Sequence, residues 1–197
     1  MRKLLLTIFI FLTLNITMAK ANDIIPFIKQ WEGGFGYHPA DPGGATNSGI
    51  TIGTYTWWCK QNDKPKPTVK DLKNMSDEEW FMIFKTMFAD PWKVDSIESQ
   101  SIANVCIDFG WASGVQNAIK RVQKCLGCVP DGIVGKKTLA ALNNPDKKAT
   151  FDKLIQMRLA YINAIVAKRP ASKVFLKGWR RRILALPWKE DDINQLT

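Results

Sequence analysis

Nine of the 21 residues from Gly33 to Gly53 are glycine or proline: Gly33, Gly34, Gly36, Pro39, Pro42, Gly43, Gly44, Gly49 and Gly53. A regular helix does not persist through that density of breakers, and neither does a long strand. The block has to be a turn-rich loop, with room at most for a short hairpin around Ile50-Thr51-Ile52. So few side chains let the backbone come close to something, either a ligand or another segment.

On both sides of this block the pattern is helical. Ile24, Phe27, Ile28 and Trp31 recur at i, i+3, i+4 and i+7, which predicts a helix over 23–32. Asn22 or Asp23 can cap it, and Gly33 is placed to end it in a left-handed conformation. After the block, Thr54 can cap a short helix through Trp57, Trp58 and Cys59, and one or two turns follow over 69–75. Ser76 followed three residues later by Glu79 reads as a capping box, opening a helix with Trp80, Ile83, Phe84, Met87 and Phe88 on one face. Further helices are predicted over 97–111, 115–126, 136–142 and 146–167, and a last one after Pro170 turns Phe175, Leu176, Trp179, Ile183 and Leu186 inward. Seven or eight helices and almost no strand make the class mainly α. A weak boundary at Ser113-Gly114 divides a region 22–112 from a region 113–190. Each half alone would bury little core, so the two are expected to pack together.

One carboxylate stands where the helix meets the loop. Glu32 follows Ile28 by four residues, so it lies beside the apolar stripe, and it ends the helix, where the backbone dipole is negative. Both influences disfavour the anion, and a carboxylic acid that keeps its proton near neutral pH is what glycoside hydrolysis needs. Gly33 and Gly34 leave the approach to it uncovered. Asp41, in an Asp-Pro-Gly-Gly turn, offers a second carboxylate in a more polar setting, suited to positioning water or stabilising an oxocarbenium ion. Thr51 offers a hydroxyl for water, Tyr37 and His38 lie nearby, and Tyr55, Trp57, Trp58 and Trp111 are candidates for stacking on sugar rings. Local pattern leaves plainer readings open: a solvated helix-end Glu, an Asx-turn Asp that only shapes the loop, and aromatics that only pack.

The stretch Trp31-Glu32-Gly33-Gly34-Phe35, then Asp41-Pro42-Gly43-Gly44-Ala45-Thr46-Asn47-Ser48-Gly49-Ile50-Thr51, resembles glycoside hydrolase family 108. Members of that family are N-acetylmuramidases with a Glu-Gly-Gly-Tyr signature; here Phe35 stands in place of the Tyr. The resemblance implies that Glu32 is the catalytic glutamate and brings Asn47 into the candidate sugar-binding set. Residues 108–114, Ala118-Ile119, Val122-Gln123, 131–135, Thr138-Leu139 and Lys177-Gly178-Trp179 with Arg182 resemble the predicted peptidoglycan-binding domain that accompanies the family. Many members carry Asn-x-Gly where this chain has Ala112-Ser113-Gly114. The order Glu32, Asp41, Thr51 is also similar to phage-type lysozymes, which implies a lysozyme-like helical fold with Asp41 and Thr51 assisting Glu32. The implied substrate is the β-1,4 bond between N-acetylmuramic acid and N-acetylglucosamine, with no metal or organic cofactor. A lytic transglycosylase and a non-catalytic wall-binding or secretion-accessory protein are the alternatives.

Charge, cysteines and the N-terminus bear on where such a protein would act. Arg2 and Lys3, the apolar run Leu4 to Leu14, and Ala19-Lys20-Ala21 read as a signal peptide over 1–21, cleaved on export to the periplasm or beyond. The run is short for a membrane span, so no stable insertion is expected after cleavage. Without Arg2, Lys3 and Lys20, 25 basic and 18 acidic residues remain, a net +7 suited to an anionic wall. The lysines are dispersed and no nucleic-acid motif appears, so nucleic acid is not an expected partner. Cys59, Cys106, Cys125 and Cys128 permit three complete disulfide pairings or buried free thiols. With His38 the single histidine, a zinc site lacks ligands. A monomer is expected.

Overall fold

The computed structural model describes residues 18–37 and 44–189. The charged start and apolar run of the expected signal peptide, together with His38 and Asp41, lie outside the described residues. Within them the fold is mainly α, with nine α-helices and one two-stranded sheet.

A 3-10 turn, Ala21–Ile24, leads into α1 (Ile25–Trp31), with Pro26 in its first turn, where no N–H is required. The helix does not end on a left-handed Gly33, because Glu32 itself turns extended, with φ −97° and ψ 143°. That turn aims the Glu32 side chain off the helix and across the fold. Upstream, Ala19 of the Ala-x-Ala pair is buried and its N–H donates to Ile97 O at 2.8 Å.

The glycine-rich block closes as a hairpin. Strands β1 (Thr46–Asn47) and β2 (Ile50–Thr51) pair antiparallel, Thr46 with Thr51 and Asn47 with Ile50. Ser48 and Gly49 make the two-residue turn with φ of 47° and 82°. Positive φ at both positions is what a right-twisted hairpin requires, and Gly49 adopts it without a Cβ penalty. Gly36 bridges to Thr46 through two 2.8 Å backbone hydrogen bonds, which brings the chain after Glu32 alongside β1.

Thr51, rather than Thr54, caps α2 (Ile52–Gln61): its Oγ1 accepts the Thr54 N–H at 3.1 Å. Two short capped helices follow, α3 (Val69–Lys73) and α4 (Asp77–Phe84). The stripe opened by Ser76 continues past α4 through a π-helical turn, Lys85–Ala89, into a 3-10 turn that holds Pro91. The core of this half is aromatic and aliphatic, with Trp80, Ile83, Phe84 and Trp92 all at or below 4% exposure.

Helix α5 (Gln100–Ser113) is the central strut, buried on every face from Ser101 to Gly110. It begins three residues later than the periodicity suggests because Ser99 caps it. Gly114, at φ 79°, breaks it from α6 (Val115–Cys125), which packs back on α5. After α7 (Lys136–Leu142) the long α8 (Lys147–Lys168) lies against both α5 and α6, and α9 (Lys173–Leu184) lies along α8. In α9 the inward face is Leu176, Trp179 and Ile183, followed by Leu186, while Phe175 stands 58% exposed. All four cysteines are free thiols. Cys106 is fully buried, and burial pushes its thiol well above the ordinary range.

Candidate active site

Glu32 is held by side chains from the middle of the chain and from its C-terminal helix. Its Oε1 accepts the Trp111 indole N–H at 2.8 Å and the Arg182 guanidinium at 2.7 Å. Among the described residues Oε2 has no hydrogen-bond partner, and the side chain is 19% exposed. The setting is therefore not the bare apolar stripe that helical spacing suggests. Two charged or polar donors converge on one carboxylate oxygen and leave the other open.

Each donor has a reason to be where it is. Trp111 sits in the last turns of α5 and packs against Trp80, Phe84 and Phe88 with ring centroids 4.6–5.9 Å apart. That cluster fixes the indole plane and so the direction of its N–H. The hairpin turn closes over it. A methyl group placed on Gly49 would overlap Trp111 Cζ2 and stand 3.0 Å from Glu32 Cγ and Cδ. Only the bare Cα of glycine lets the turn lie against both side chains at once. From the other side Trp80 donates its indole N–H to Ser48 O at 3.0 Å, which ties the turn down.

Arg182 comes from α9, 150 residues from Glu32. It spans two carboxylates. Nη1 meets Glu32, Nε donates to Asp108 Oδ1 at 2.9 Å, and Nη2 lies 2.8 Å from that same oxygen. Asp108 is fully buried in α5, and its Oδ2 accepts Arg158 Nη2 of α8 at 2.7 Å. Arg158, Asp108, Arg182 and Glu32 thus form one chain in which guanidinium and carboxyl groups alternate. Burial works against the Arg182 cation, but Asp108 and Glu32 outweigh it and hold its pKa above the ordinary value. Arg158, deeper still, is pushed below its ordinary value by burial, with Asp108 opposing the shift. The residue beside Arg182 reinforces the join: the Arg181 guanidinium lies 5.0 Å over the Trp31 ring. Two consecutive residues of α9 thus hold two consecutive residues at the end of α1.

The other sequence candidates are spread around this centre. Thr51 lies two residues past Gly49, and its hydroxyl is engaged as the α2 cap and in a 3.0 Å hydrogen bond with Thr54 Oγ1. Asn47 donates through Nδ2 to Leu72 O at 2.8 Å, which anchors the hairpin to α3. Tyr37, the last described residue before the loop, is 54% exposed. Trp57 is equally exposed on α2, whereas Trp58 and Tyr55 are core residues. Tyr55 is 5% exposed, and burial followed by its hydrogen bond to Glu79 pushes its phenol above the ordinary range. Its ring has no open face for a sugar.

Sequence reasoning passed over Arg158 and named Asp108 and Arg182 only for the resemblance of the C-terminal region, with no role at Glu32, although a signal existed. Arg158 falls on the stripe of Phe151, Leu154, Ile155, Leu159 and Ile162, and Arg182 falls three residues after Trp179 on that of α9. A charge on a buried stripe needs a buried partner.

With this geometry in place, similarity to known proteins becomes informative. Residues 25–114 match the family model described as Glycosyl hydrolase 108. Those residues belong to glycosyl hydrolase family 108. Residues 117–184 match the model described as Predicted Peptidoglycan domain. Among solved structures, that of Brucella abortus SagA is similar over 87% of this chain and 97% of its own, with a TM-score of 0.66 and 28% identity. No curated protein matches. A family 108 region joined to a peptidoglycan region makes the chain a glycosidase of peptidoglycan. The two matched stretches meet at the site, because Glu32 and Trp111 lie in the first and Arg182 in the second.

Among the described residues no helix is long and apolar enough to cross a membrane.

Proposed function

We propose that this family 108 protein is an exported muramidase, cleaving the β-1,4 bond between N-acetylmuramic acid and N-acetylglucosamine with Glu32 as general acid. The observation that carries the reading is the Glu32 carboxylate itself. It is oriented through one oxygen, open at the other, and uncovered because Gly49 has no side chain to lay over it. Such a group can give a proton to the departing sugar oxygen. Asp41, outside the described residues, is the second carboxylate of this scheme and Thr51 its hydroxyl for orienting water. Trp111 orients the acid rather than stacking on a sugar. Tyr37 and Asn47, and His38 outside the described residues, are the candidates for holding the sugar, while Tyr55 stays beneath as packing. Export through residues 1–21 brings the protein to the wall, where its positive charge suits an anionic polymer.

The deciding experiment is digestion of purified peptidoglycan by wild type and by Glu32→Gln. Gln keeps an oxygen to accept from Trp111 and Arg182 but has no proton to give. Activity is expected to fall by about three orders of magnitude, in line with general acid catalysis, with the melting temperature little changed. A Glu32→Gln protein that still clears peptidoglycan sinks the assignment. Mass spectrometry of the wild-type products separates hydrolysis, which adds water at the reducing end, from transglycosylation, which leaves anhydro-muramic ends.

A further inference from the structure

We infer that Arg182, from the C-terminal helix, is a positioning residue of the active site: it fixes which oxygen of Glu32 carries the proton and stabilises the charge that appears when the proton leaves. The inference rests on Glu32 being the general acid. An oxygen that already accepts two N–H donors is a poor place for a proton. In the neutral acid, Oε1 is then the carbonyl oxygen, facing Trp111 and Arg182 at 2.8 and 2.7 Å, and the proton sits on Oε2, the oxygen left open.

When the Oε2–H bond breaks, the proton goes to the glycosidic oxygen and the bonding pair stays on the carboxyl group. The bond from that oxygen to the anomeric carbon breaks in the same step, its electron pair leaving with the oxygen, and water then bonds to the anomeric carbon and gives its extra proton to a carboxylate of the site. Negative charge thus develops on Glu32, within 2.7 Å of a fixed cation. The interaction is stronger in the transition state than in the bound ground state, so it acts on kcat.

The cation is fixed because Asp108 holds it. An arginine reaching Glu32 alone would be free to swing, but here Nε donates to the buried Asp108, Nη2 lies within ion-pair distance of the same oxygen, and Arg158 neutralises the far side of that carboxylate. Among the described elements, the charged groups facing this centre are Arg182 of α9, with Asp108 of α5 and Arg158 of α8 behind it. The peptidoglycan region therefore supplies part of the catalytic environment.

Kinetics on solubilised glycan strands test the inference. Arg182→Ala is expected to lower kcat about a hundredfold, as for loss of one preorganised donor, with KM within twofold of wild type. Free guanidinium chloride, kept far below denaturing concentrations, is expected to restore part of that rate while urea at equal concentration does not. Arg182 lines a cavity of about 140 Å³ with Phe109, Tyr161 and Trp179, which leaves a small ion room beside the truncated side chain. Arg182→Lys should fall between wild type and Ala. If Arg182→Ala fails to fold, Trp111→Phe removes the other donor while keeping a ring in the aromatic cluster. A kcat loss of about tenfold at constant KM is then expected. A rise in KM with kcat unchanged, or urea rescuing as well as guanidinium, overturns the inference. Full activity in Arg182→Ala beside a dead Glu32→Gln removes the arginine's role alone, whereas an active Glu32→Gln removes the general-acid reading beneath it.

Discussion

Arg182 touches two carboxylates, and the two ends of its guanidinium could hardly be placed more differently. At Asp108 the carboxylate is fully buried and both of its oxygens are engaged, one by Arg182 and one by Arg158. At Glu32 the carboxylate is 19% exposed, one oxygen takes two donors and the other takes none among the described residues. A buried carboxylate with a guanidinium on each oxygen holds elements together and is shut away from substrate. A carboxylate held by one oxygen is oriented and still able to exchange a proton. The same arginine thus serves as a strut at one end and as a positioning group at the other.

Removing the strut should give the largest effect on the fold. Asp108→Ala leaves Arg158 and Arg182 facing each other with no anion between them. Breaking one partner out of a buried pair costs about 3–5 kcal/mol, so a large drop in denaturant midpoint is expected. Glu32→Gln, by contrast, should leave the midpoint within about 1 kcal/mol, because its end of the guanidinium is partly solvated. If the two variants destabilise equally, the division between a structural end and a chemical end is broken.

Gly49→Ala probes the Glu32 end by geometry instead of charge. A side chain at φ 82° is strained, and here it also drives into Trp111 and Glu32, so about 2 kcal/mol of destabilisation is expected. The larger consequence should be functional. Displacing the carboxylate by roughly an ångström can cost about a hundredfold in rate. Muropeptide release falling far more than stability would sharpen the contrast with Asp108. Loss confined to stability would place the turn with the strut.

These pairs mark the limit of what the chain discloses before it is folded. The helices were legible because each lays apolar residues at helical spacing, and the loop was legible because glycine and proline crowd it. Glu32 was singled out by its place at a helix end before two glycines, but that pattern left a solvated Glu open, and it was the resemblance over Trp31 to Thr51 that made it the leading candidate. Its surroundings were not legible, because Trp111 is 79 residues away and Arg182 is 150, and no local pattern reports that separation. The apolar stripe suggested a carboxyl kept neutral by desolvation. The folded chain instead turns Glu32 out of α1 at its extended backbone and into a cation. What the sequence did contain was a set of misfits: Asp108, Arg158 and Arg182 each sit where the stripe calls for an apolar side chain. A buried cation, a buried anion and a half-buried cation on three packed helices implied a network, and the unbalanced cation implied a second acid.

Thr51 is the residue whose side of this division is least obvious. The resemblance to phage-type lysozymes implies a part in orienting water, while its hydroxyl caps α2 by accepting the Thr54 N–H and is shared with Thr54 Oγ1. Loss of an N-cap hydroxyl costs about 1 kcal/mol, so Thr51→Ala should lower stability by that amount and Thr51→Ser should keep it. Activity at a temperature well below either melting point separates the roles. With the hydroxyl committed to the cap, Thr51→Ala is expected to retain activity within tenfold of wild type, which puts Thr51 with Asp108 as a residue that places the hairpin. A fall of a hundredfold or more in a protein that is still folded, reversed by Ser, would put it with Glu32. In that case the hydroxyl would have to leave Thr54 when substrate binds, and the first turn of α2 would become part of the moving machinery.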